Sequence, residues 1–195
     1  DSRILANVTN VFSDYNVLLH ETAHGTHFLG LDPKDSALNH GVSGIVAEGF
    51  ANFFGDLSHS KEFLSEIFPA EQAHQAYEEL SEVRRFNTLR NMRLIAETLF
   101  DQQLYQHDLK SVDDINNLKT SMYTELVGEN PPSPAPAWGH VVHHTMAPIY
   151  LHNYFLGDVM CDKMKQVFKT RHNVSAENHP LEFGKFWNEI GRAHV

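Results

Sequence analysis

The chain has 195 residues, 42% of them hydrophobic and 21% charged, which suffices for one domain with a substantial core. With 15 basic against 25 acidic residues the net charge is -10, so the electropositive footprint of a nucleic-acid binder is missing. No apolar run approaches the roughly 20 residues that span a bilayer, and the lone Cys161 excludes an intrachain disulfide and a cysteine-based zinc site while fitting a reducing, cytoplasmic compartment.

Taken in chain order, residues 3–9 (RILANVT) alternate as a short strand does. Ser13 and Asp14 are candidate caps for a helix over 15–28 that ends near Gly30 and Pro33. A loop rich in Asp, Ser, Asn and Gly follows over 31–43. The run GIVAEGFANFF then opens a helix over 44–57 that is apolar on nearly all sides, hence buried. A short helix over 61–68 leads to Pro69 and a long amphipathic helix over 70–107, with Tyr77, Leu80, Val83, Met92, Ile95 and Leu99 at helical spacing. Ser111 with Asp114 caps a helix through Leu126, PPSPAP (131–136) is a stiff loop, and a last helix covers 141–168, kinked or begun at Pro148. The expectation is a mainly α, single domain spanning 1–195. Its first residue is Asp, not Met, so it reads as a piece cut from something longer.

The apolar helix YNVLLHETAHGTHF contains His20-Glu21-Thr22-Ala23-His24, an HExxH motif. Positions i and i+4 share one helix face, so both imidazoles can reach one metal ion, with Glu21 beside a water on that ion. Fourteen histidines make a metal site more plausible and an accidental motif more frequent, so context has to decide. A catalytic zinc takes three protein ligands and leaves one position open. A metzincin-type third ligand fails, because His27 and Gly30 stand in the reverse of the required order. Glu48 is the only acidic residue within GIVAEGFANFF, and a carboxylate in an apolar helix needs a partner. It is therefore the expected third ligand, with Asn52 and Asp56 as candidates to orient a ligand histidine. A second metal chemistry is compatible with the order Glu21-x-x-His24, Glu48, Glu71-x-x-His74, Glu97: the di-iron carboxylate bundle. It leaves His20 without a role.

The segments NVTNVFSDYNVLLHETAH, VAEGFANFF, RRFNTLRNMRLIAETLFDQQLYQ and WGHVVHHTMAPIYLHNYFLG together resemble the oligoendopeptidase F and thimet oligopeptidase family of zinc oligopeptidases. The likeness covers most of residues 5–157, and its first and last blocks are the specific ones. It implies a zincin-like helical catalytic domain with a short N-terminal strand, one zinc ion per chain held by His20, His24 and Glu48, and Glu21 as general base. It also implies that a histidine and tyrosines of the last block steady the substrate oxyanion. Matched back from Gly157 and Tyr154, the histidine falls on His144, beside His143, and the phenols on Tyr150 and Tyr154. Met146 and His152 stand where relatives commonly carry tyrosine. Family members are several times longer and close an N-terminal helical lobe over the metal, so the expected partners are an oligopeptide substrate and that lobe. Either peptide hydrolysis or zinc binding without turnover is compatible with such a piece.

Overall fold

Apolar residues recur at helical spacing through most of the chain, and helices are what form. The computed structural model describes residues 2–30, 43–128 and 137–192. The loop expected at 31–43, except residue 43, and the PPSPAP loop lie outside the described residues, as does His40. The fold is mainly α: α1 (Ser13–Leu29), α2 (Gly44–Asp56), α3 (Lys61–Ile67), α4 (Ala70–Arg84), α5 (Asn87–Gln106), α6 (Val112–Leu126), α7 (His143–Met146), α8 (His152–His172) and α9 (Pro180–Arg192). Its chain contacts divide it into two compact units, Asp1–Glu82 with Leu156–Val195, and Val83–Phe155.

Helix starts follow local chemistry. Asp14 accepts hydrogen bonds from the backbone N–H groups of Thr9 (2.9 Å) and Val11 (3.1 Å), which fixes the entry into α1. The Ser60 hydroxyl accepts from Phe63 N–H at 3.2 Å and starts α3. Ser111 and Asp114 form the reciprocal capping box expected at α6, with bonds of 3.1 and 2.9 Å.

Three expectations need correction. No strand forms among the described residues: residues 2–9 are irregular, with Ile4, Leu5 and Val8 largely exposed. A strand needs a ladder partner for its N–H and C=O groups, and alternation alone supplies none. The long helix over 70–107 is broken at Arg85–Phe86. Val83 of the expected apolar stripe and the nearby Phe86 are largely exposed, so no packing enforces a continuous helix there. The helix expected over 141–168, kinked or begun at Pro148, is two helices, because Pro148 lacks an N–H and restricts Ala147; α7 stops at Met146 and α8 begins at His152.

In the first unit, α2 is buried as expected, through Ala47, Glu48, Gly49, Phe50, Ala51, Phe53 and Gly55. Phe50 and Phe53 join Met164 and Phe168 of α8 and Phe183, Phe186 and Trp187 of α9 in one core. The residues of α9 recur at i, i+3 and i+4, a pattern that sequence reasoning treated only as an aromatic-rich end. In the second unit, Ala96 and Phe100 of α5 and Tyr123 of α6 are buried together with the polar Asp101, Lys119 and His144.

Candidate metal centre

Two of the three expected donors come from α1 and one from α2. Gly55 lets these helices approach: a Cβ there would lie 3.2 Å from Asn16 Nδ2 and 3.4 Å from His20 Cβ. With the helices this close, His20 Nε2 and His24 Nε2 stand 3.0 Å apart, and they lie 3.4 and 3.6 Å from Glu48 Oε2. The side chains of His20 and His24 are 17% and 19% exposed, that of Glu48 only 4%. Among the described residues this is the one group of three or more His, Cys, Asp or Glu donors close enough to hold an ion.

The donor set can be tested against zinc on geometry alone. A tetrahedral ion with ligands at about 2.0–2.1 Å separates its donor atoms by about 3.3 Å. The three observed separations bracket that edge, and two imidazoles with one carboxylate are a donor set that zinc accepts. The two imidazoles keep partial contact with solvent, whereas the Glu48 carboxylate is nearly dry. Glu21, next to His20, is half-buried and makes no hydrogen bond or ion pair with another described residue. That leaves its carboxylate free of local partners on the same helix as the two imidazoles.

The remaining expected residues fall elsewhere. Asn52 does not orient a ligand histidine; its amide donates to Asp158 Oδ1 at 2.7 Å. Asp56 is exposed, as are Glu71 and His74, and none of these joins a donor group. Glu97, the last carboxylate of the di-iron pattern, accepts from Lys119 Nζ at 2.8 Å and from the Tyr123 hydroxyl. Cys161 is buried, which pushes its thiol up to about 12 and makes it a poor nucleophile.

Within the second unit the adjacent histidines differ. His143 is grouped with the two expected phenols: its Nε2 shares a 3.1 Å hydrogen bond with the Tyr154 hydroxyl, and its ring stacks on Tyr150 at 5.8 Å. His144 is fully buried, with Nδ1 3.1 Å from Asp101 Oδ1 and Nε2 3.1 Å from Glu97 Oε2, while Tyr105 donates to its carbonyl. Burial alone would raise the Glu97 carboxyl. The hydrogen bonds from His144, Lys119 and Tyr123, with the Lys119 charge, instead bring it down to about 2. Sequence reasoning missed this cluster. Its only advance signal is the pair of carboxylates at i, i+4 on α5, Glu97 and Asp101, which a solvated helix face would show equally.

His27 is the one buried polar side chain on α1. Neither ring nitrogen has a hydrogen-bond partner among the described residues, and burial, then the nearby His24, lowers its pKa. Its ring lies 5.0 Å from that of Phe50. A neutral imidazole there leaves two polar atoms unsatisfied, at a cost of about 1–3 kcal/mol. His27→Phe is therefore expected to raise the melting temperature by a few degrees, about 1 kcal/mol of stability. A lower melting temperature in thermal unfolding would show that the imidazole has a partner.

No protein-family model, no curated protein and no solved structure matches the chain.

Proposed function

We propose that the chain is the zincin-like catalytic part of a zinc-dependent peptidase that hydrolyses peptide bonds in oligopeptides. The observation that carries this reading is the spacing of His20, His24 and Glu48, three donors from two helices at the edge lengths of a tetrahedral site. Zinc, when bound, supplies Lewis-acid polarisation of a carbonyl and acidifies water at neutral pH. His20 and His24 donate nitrogen lone pairs, so both must be deprotonated at the donor atom, and Glu48 contributes one negative charge from a nearly dry position. Glu21 takes the proton of the attacking water on its carboxylate and returns it to the leaving amine nitrogen. The oxyanion donors that the resemblance suggests, His144 or its neighbour His143 with Tyr150 and Tyr154, lie in the second unit, where His143 meets the Tyr154 hydroxyl and the Tyr150 ring and both ring nitrogens of His144 face carboxylates.

The test is to strip the protein with a chelator, add back metal, and measure both bound metal and cleavage of an internally quenched peptide. One zinc ion per chain and zinc-dependent cleavage are expected. Two iron ions per chain would instead support the carboxylate-bridged alternative. Stoichiometric zinc with no cleavage on any peptide library would reduce the reading to a zinc-binding module.

A further inference from the structure

Glu48 is the one donor that does not belong to α1, so its position depends on how α2 is held from behind. The part of α8 that does this belongs to the same unit as α1 and α2. Two glycines face each other at the crossing. A Cβ on Gly49 would sit 2.8 Å from the carbonyl oxygen of Gly157 and 3.2 Å from Trp187 Cη2. A Cβ on Gly157 would sit 2.9 Å from the backbone nitrogen of Gly49 and 3.0 Å from Glu48 Cβ. Neither position has space for a methyl group unless backbone shifts, since the nearest atoms are main chain and not the ends of flexible side chains. One turn further along α2, the Asn52 amide donates to Asp158 Oδ1 at 2.7 Å. The glycines therefore set the distance between the helices, and this hydrogen bond resists rotation of α2 about its axis.

We infer that Gly157 and the Asn52–Asp158 hydrogen bond are positioning elements for the metal: α8 fixes the carboxylate of Glu48 against the two imidazoles of α1. This rests on the zinc reading of His20, His24 and Glu48. Residues that orient metal ligands typically alter affinity by about 10–100-fold when removed. Moving α2 away by a few tenths of an ångström lengthens the two separations that involve Glu48 and leaves the His20–His24 separation untouched, because that one is set within a single helix. The defect is thus specific to one donor.

Zinc affinity of the metal-stripped protein, measured by chelator competition well below each variant's melting midpoint, tests this. Gly157→Ala is expected to bind zinc at least tenfold more weakly than the unaltered chain. Asn52→Leu, which keeps the branching and heavy-atom count but deletes the hydrogen bond, is expected to bind it severalfold more weakly. The cobalt(II)-loaded forms of both should show altered visible absorption, a coordination signature that loss of stability alone does not produce. Gly184→Ala serves as the control, since its added Cβ would meet only Phe54 Cζ at an ordinary 3.5 Å. Unchanged zinc affinity and cobalt spectra in Asn52→Leu and Gly157→Ala overturn the inference, and if Gly157→Ala does not fold, Asn52→Leu decides alone. Separately, if Glu48→Ala binds zinc as tightly as the unaltered chain, the zinc reading itself fails.

Discussion

Replacing Glu21 with glutamine is expected to leave zinc binding intact and to lower peptide hydrolysis by about 10²–10⁴-fold. The substitution keeps the shape of the side chain and removes only its ability to accept a proton. Glu21 is not part of the donor triangle of His20, His24 and Glu48, so the metal count should remain one per chain. It is half-buried and lacks a hydrogen bond or ion pair with another described residue, so its loss should cost the fold little. Three readouts separate the roles. Bound zinc reports ligation, thermal unfolding reports stability, and the acid limb of the pH profile of kcat/KM reports the base. Unchanged hydrolysis in Glu21→Gln would remove Glu21 as the base. Loss of zinc together with activity would move it into the ligand set instead.

Acidification should weaken the second unit through Glu97. Its carboxyl is held at about 2 in the fold, against the ordinary glutamate value of 4.5. The stabilising contribution is therefore fully present above about pH 4.5 and is lost as the pH falls through about 2. A depression of this size corresponds to roughly 3 kcal/mol, a large share of the stability of a small unit. The side chain is 20% exposed, which limits solvent screening of its bond to Lys119. Glu97→Gln should thus unfold at lower denaturant concentration at pH 7 and show a flatter dependence of stability on pH between 5 and 2. Urea titrations over that range check it. If both proteins lose stability in parallel as the pH falls, acid sensitivity resides in other carboxylates.

The helices that could be read from residues alone are those with a local start signal and a complete apolar pattern. The Ser111–Asp114 box and the GIVAEGFANFF run are the clearest cases. The cluster of His20, His24 and Glu48 was legible for the same reason: helical spacing brings His20 and His24 together, and Glu48 stood out as one charge within an apolar helix. What the residues could not reveal depends on partners distant in sequence. RILANVT has a strand's alternation but acquires no ladder partner among the described residues. His143 and His144 are indistinguishable in sequence, and only packing sends one to Tyr154 and the other to Glu97 and Asp101. Asn52 looked placed to serve a ligand, yet its partner, Asp158, lies more than a hundred residues away along the chain.

The division of the donors between α1 and α2 also bears on folding. The two imidazoles share a single helical turn, so any chain in which α1 has formed presents them near their final spacing, docked or not. The carboxylate arrives only when α2 settles against α1. An ion bound here would thus distinguish the native arrangement from a helical but unassembled chain by one oxygen atom. In that sense the site would act as a proofreader of tertiary structure, holding metal tightly only once residues 24 and 48 have met.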